Sequence, residues 1–108
     1  MRFRTLERLM YEWQAVLSLR DWEIELILGV DEDEPEASGT VDYDIHERTA
    51  TIHIRPRVSN QEVVLVHELL HIVFAPLTAD TTGVLEEQAV ESLSKAFVAL
   101  KERCNGQA

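Results

Sequence analysis

VVLVHELLHIVFAP, from Val63 to Pro76, is the most apolar segment of the chain, and only His67, Glu68 and His71 interrupt it. A helix that is apolar on every side is a central, buried one. Polar groups left unpaired in such a helix cost several kcal/mol each, so all three side chains require partners. His67 and His71 stand four apart, which puts their rings one turn apart on one face. Two imidazoles at that spacing can reach one tetrahedral metal ion. Glu68 lies on the flank of the same face, within reach of a metal-bound water without being a ligand. This is the H-E-x-x-H pattern of metal-dependent peptide hydrolysis. The competing reading is a pair of core histidines hydrogen-bonded to Glu68 or to backbone.

Outward from this segment the chain divides cleanly. Ser59-Asn60-Gln61-Glu62 reads as a capping box, with Ser59 as N-cap and Glu62 three residues on, so a helix is predicted to start there and to stop at Pro76. Upstream, GTVDYDIHERTATIHIRP reads as a hairpin: Thr40–Asp44 forms one strand, residues 45–48 the turn, and Thr49–Ile54 the return. WEIELIL, Trp22–Leu28, alternates as a strand should. Leu6, Leu9, Met10, Trp13, Val16 and Leu17 recur at helical spacing over about residues 2–19. Downstream, LTADTTG is a loop, and a last helix runs from about Val84 to Arg103, with Ala89, Val90, Leu93, Ala96, Phe97 and Leu100 as its apolar stripe. Helix, strand, hairpin, helix, helix is an α+β order.

A length of 108 residues suits one domain, 1–108. The apolar fraction of 45% is that of a globular chain. A net charge of −10 argues against nonspecific nucleic-acid binding and against anionic membrane surfaces. Cys104 is the single cysteine, so no internal disulfide is expected. The N-terminal stretch mixes Arg and Glu through its apolar residues, unlike a secretory signal, and no run is long enough to span a bilayer. A cytoplasmic setting is the expectation. DEDEPE, Asp31–Glu36, lacks the spacing of an EF-hand and reads as a solvated loop.

Catalytic zinc takes three protein ligands and leaves one position open. The extended H-E-x-x-H-x-x-G-x-x-H form is excluded, because Phe74 and Leu77 stand at its glycine and histidine places. His46 and His53 in the hairpin are weaker candidates. The last helix opens with LEEQAVESLSKAF, in which Glu87 and Glu91 are four apart. One carboxylate so placed can bind the ion while the next holds a ligand imidazole by its other nitrogen. Glu86 competes with Glu87, since it falls near the middle of the apolar stripe, and helix geometry leaves the two open.

HELLH, a short loop, and a helix beginning with Glu resemble the gluzincin metallopeptidases. The likeness is to their smallest members, the ImmA/IrrE-type peptidases and the minimal HExxH zincins of phages and prophages. It covers roughly residues 20 to 100. In that family the last helix opens with a ligand Glu, followed by a small or apolar residue three on and Asn or Asp four on. Glu87, Val90 and Glu91 match that register, with Glu in place of the Asn or Asp. The resemblance therefore implies His67, His71 and Glu87 as zinc ligands, Glu91 behind a ligand histidine, and a zincin-like minimal fold with a sheet of about three strands.

The function expected is zinc-dependent peptide-bond hydrolysis of a peptide or protein substrate. Glu68 acts as general base on the zinc-activated water and then passes the proton to the leaving amine. The resemblance also implies edge addition of substrate to a strand beside the active helix. Thr49–Ile54 is the expected strand, with Thr51 and His53 toward the substrate. Tyr43 and His53 are the candidates for an oxyanion partner. The alternatives are a non-catalytic zinc-binding or partner-binding domain with closed coordination, and a protease narrowed to one host protein. A DNA-linked SprT-like protease also carries HExxH, but this chain has no basic patch.

Overall fold

A computed structural model describes residues 2–78 and 83–106. In chain order it contains α1 (Phe3–Val16), β1 (Glu23–Leu28), β2 (Gly39–Asp44), β3 (Thr49–Ile54), α2 (Gln61–Thr78) and α3 (Gly83–Gly106). The hairpin and the helix–strand order follow the sequence pattern. Among the described residues no helix is long and apolar enough to cross a membrane.

The sheet order is β1-β3-β2, with β1 parallel and β2 antiparallel to β3. Ala50, Ile52 and Ile54 are buried on one face of β3, and α2 packs on that face. Helices α1 and α3 pack in turn on α2. The segment that is apolar all round is thus the central layer, with Leu65, Val66, Leu69, Leu70, Ile72 and Ala75 buried in it. Burying an apolar side chain of this kind contributes roughly 1.5–3 kcal/mol.

Several local expectations are corrected. The helix N-cap is Asn60 rather than Ser59: Asn60 Oδ1 accepts from the Val63 N–H at 3.1 Å. Glu62 is turned away from the cap because two stronger donors claim it, Trp13 Nε1 at 2.8 Å and Lys101 Nζ at 2.6 Å. That one carboxylate joins α1, the start of α2 and the far end of α3. Pro76 does not end α2, which continues through it to Thr78. Pro76 gives up its own N–H bond and crowds the carbonyl four residues back, a local cost borne here only two residues before the helix ends. Part of the expected loop, residues 79–82, lies outside the described residues.

In α3 the buried line is Val90, Ser94 and Val98, with Leu93 and Phe97 partly buried beside it, while Leu100 stays 57% exposed. The stripe read from apolar residues is therefore rotated. Ser94 is tolerated in the interior because its hydroxyl donates to the Glu91 carbonyl at 3.0 Å. Between α1 and β1, buried Gln14 donates to the carbonyls of Leu19 and Trp22, both at 3.1 Å, and holds that connection against the core.

Candidate metal centre

His67 and His71 project from α2 one turn apart, with ring centroids 5.0 Å apart and planes inclined by 60°. The first turns of α3 lie across them. Glu86 continues the line Val90, Ser94, Val98 at intervals of four, so it starts on the buried face of α3. Glu87 and Glu91 run along the adjacent flank. This difference in rotation gives the carboxylates different targets. Glu87 reaches the Nε2 atoms of both histidines, at 2.6 Å from His67 and 3.2 Å from His71. Glu86 lies 2.9 Å from His71 Nδ1, and Glu91 lies 3.2 Å from His67 Nδ1.

Each imidazole thus has a carboxylate at both ring nitrogens. A neutral imidazole carries one N–H. The second contact on each ring requires a further proton or a cation between nitrogen and oxygen. Both Nε2 atoms converge on the same carboxylate, so one cation at that point serves both rings. Ligand atoms of His67, His71 and Glu87 all lie within 4.8 Å of one another, a group that can hold a metal ion. The donor set of two imidazoles and one carboxylate suits zinc among other divalent metals. Side-chain exposure separates the rivals: Glu86 is 15% exposed and held against His71, whereas Glu87 at 54% opens to the cleft. Lys95 pairs with Glu91 at 2.9 Å and steadies it from outside, and this hydrogen bond and charge, with a smaller pull from His67, hold the Glu91 carboxyl below its ordinary pKa against a slight opposing effect of burial.

Glu68 is buried beside this cluster, with 6% of its surface exposed. Burial pushes its pKa up from 4.5 to about 7, against the pull of His71 and with help from the negative charges of Glu87 and Glu34. The opposite wall is the start of β2. At Gly39 an added Cβ would lie 2.5 Å from Val64 Cγ1, 3.2 Å from the His53 carbonyl oxygen and 3.3 Å from Glu68 Oε2. A side chain there would collide with α2. The absence of one lets β2 pass close over Glu68.

The resulting cleft holds about 420 Å³ and is lined by Glu34, Ala37 and residues 39–41 and 43 on one side and by His67, Glu68, His71, Glu86 and Glu87 on the other. The structure therefore brings together His67, Glu68, His71, Glu87 and Glu91, and adds Glu86. Tyr43 lines the cleft. Thr51 and His53 do not: they alternate with the buried Ala50, Ile52 and Ile54, on the face of β3 turned away from α2. The expected free edge at Thr49–Ile54 is also corrected, because β3 is the middle strand and is paired on both sides.

The free edge beside the cleft belongs to β2. The Arg55 N–H donates to the Ser38 carbonyl at 2.9 Å, and this sets the phase of the antiparallel ladder. Thr40, Asp42 and Asp44 then bond inward to β3, and Gly39, Val41 and Tyr43 turn their main-chain groups outward. Sequence reasoning missed Gly39 and this edge. A glycine opening a strand is the signal that pointed to a close approach there. Compared with protein-family models, with curated proteins and with solved structures, the chain finds no match in any of the three.

Proposed function

We propose that this chain is a zinc-dependent peptidase, a minimal gluzincin-like domain. The observation that carries the reading is the convergence of His67 Nε2 and His71 Nε2 on Glu87, with each Nδ1 resting on a further carboxylate. In the proposed site His67, His71 and Glu87 would hold the ion. Glu86 and Glu91 fix the tautomer and orientation of the two rings, as carboxylates behind metal-bound histidines do. Zinc bound there would supply a Lewis acid that polarises a carbonyl and acidifies a water.

The chain's own groups provide the rest. Glu68, with its pKa near 7, takes a proton from the attacking water and delivers it to the departing amine. An extended peptide adds to the outer edge of β2, where Gly39, Val41 and Tyr43 offer main-chain donors and acceptors. That pairing sets the scissile bond over Glu68 and excludes water from one side of it. Tyr43 lines the cleft, and its hydroxyl would donate to a developing oxyanion.

The test is metal content and peptide cleavage measured together on untagged protein. We expect one zinc per chain in the wild type and in Glu68→Gln, loss of zinc in His71→Ala, and weakened binding in Glu87→Gln. Cleavage of a mixed peptide pool should disappear in Glu68→Gln while zinc stays. A folded wild type that takes up no zinc on reconstitution would overturn the proposal. Zinc binding that survives without any cleavage would leave a metal-stapled binding domain.

A further inference from the structure

The cleft carries a charge pattern that bears on substrate choice, an inference that rests on the peptidase reading. Among the described residues its carboxylate lining is Glu34, Glu68, Glu86 and Glu87, with no Lys or Arg. A divalent cation would offset only part of this. Glu86 is occupied by His71 and Glu87 by both rings, which leaves Glu34 as the carboxylate without a task.

Glu34 is exposed, and among the described residues its side chain enters no ion pair. Its position is nevertheless built. The Glu34 N–H donates to the Asp31 carbonyl and its own carbonyl accepts from Ala37, both at 3.1 Å. Asp31 Oδ1 accepts from the Asp33 N–H at 2.9 Å, and Asp31 Oδ2 accepts from the Thr40 hydroxyl at 2.8 Å, which ties the loop to β2. Arg55 donates to the Pro35 carbonyl, and among the described residues it forms no ion pair with Glu34. Glu34 lines the same cleft as Gly39, Glu68 and the two histidines.

We infer that the substrate presents a lysine or arginine side chain to Glu34 at the Gly39 end of β2, so that the enzyme selects basic peptides. In a peptide paired to β2, alternate side chains point toward the cleft. The one nearest Gly39 meets Glu34 across a cleft with no Lys or Arg among its described lining residues. A charge pair at such a rim acts on encounter and register more than on affinity, so the preference is moderate and falls with salt.

The test is cleavage-site profiling by mass spectrometry with zinc-loaded protein. The peptides come from a proteome cut with a glutamate-specific protease, so that Lys and Arg remain internal. The expected result is enrichment of Lys and Arg at one position near the cut. For a matched pair of peptides differing by Lys against norleucine there, the kcat/KM ratio should fall about five- to tenfold in Glu34→Gln, the size of one partly screened charge pair. Glu102→Gln makes the same charge change near the far end of α3 and should leave that ratio as in the wild type. Cleavage without basic enrichment, or an unchanged ratio in Glu34→Gln, overturns this inference and leaves the peptidase reading standing. If zinc-loaded protein cuts nothing, the peptidase reading fails, and fluorescence anisotropy of the same two peptides on the zinc-loaded protein decides. Tighter binding of the Lys peptide that is lost in Glu34→Gln upholds the contact. Equal binding refutes it.

Discussion

Replacing Gly39 with alanine probes the closeness of β2 to the active helix. Gly39 has no positive φ, so alanine fits its backbone, and at such a site Gly→Ala ordinarily stabilises by about 0.4–1 kcal/mol through the unfolded chain. Here the new methyl would sit 2.5 Å from Val64 Cγ1, against a normal carbon contact of about 3.5–4.0 Å. Val64 is β-branched within a helix and has one strongly favoured rotamer, so it does not swing aside cheaply. Nor do the other neighbours yield freely: the His53 carbonyl is backbone, and Glu68 is buried. Either β2 lifts by about an ångström or Val64 leaves its rotamer, at a cost typical of overpacking, roughly 1–3 kcal/mol. For a domain of this size that lowers Tm by about 4–12 °C. Thermal and urea unfolding followed by circular dichroism reads the change. Val64→Ala in the Gly39→Ala background should restore part of the loss, giving a coupling free energy of about 1 kcal/mol in the double-mutant cycle. If Gly39→Ala is as stable as the wild type or more stable, the close approach of β2 to α2 is wrong, and with it the position of the cleft wall.

Three further outcomes follow from the side-chain geometry. In metal-free protein the folded pKa of Glu68 lies above its unfolded value, so its contribution is full below pH 4.5 and is lost as pH rises through about 7. At ~1.4 kcal/mol per pH unit the change is about 3 kcal/mol, which urea titrations across that window should show in the wild type and not in Glu68→Gln. Glu86→Gln and Glu91→Gln each remove a carboxylate from one Nδ1, and zinc affinity measured by competition with a chelator should fall roughly 10- to 100-fold in each, with the fold retained. Glu62→Ala leaves Trp13 Nε1 and Lys101 without their acceptor and should cost about 2 kcal/mol in chemical denaturation, whereas Glu62→Gln, which keeps an acceptor for Trp13, should lose less.

How much of this was legible before folding differs from residue to residue. The spacing of His67 and His71 is intrinsic to a helix, so their shared face needs no tertiary information. The period-two pattern of Thr49–Ile54 puts Ile52 and Ile54 on one face and Thr51 and His53 on the other, but periodicity says nothing about which strand lies beside which. Strand order emerges from long-range pairing, and it made β3 the centre and β2 the edge. The cap at residues 59–62 was misread for a similar reason: Glu62 suits a capping box locally, yet a Trp and a Lys distant in sequence claim its carboxylate.

The sequence by itself determined the element order, the apolar central helix, and a pair of imidazoles with Glu68 at their flank, because helix and strand periods decide which residues share a face. Only the tertiary structure decided which glutamate does what. Glu86 and Glu87 are neighbours in sequence, and their difference is the rotation of α3 on α2, set by the burial of Val90, Ser94 and Val98. That rotation sends Glu86 to one ring's outer nitrogen, Glu91 to the other's, and Glu87 to the point between the rings. Packing across two helices fixes such an angle, and no local pattern encodes it.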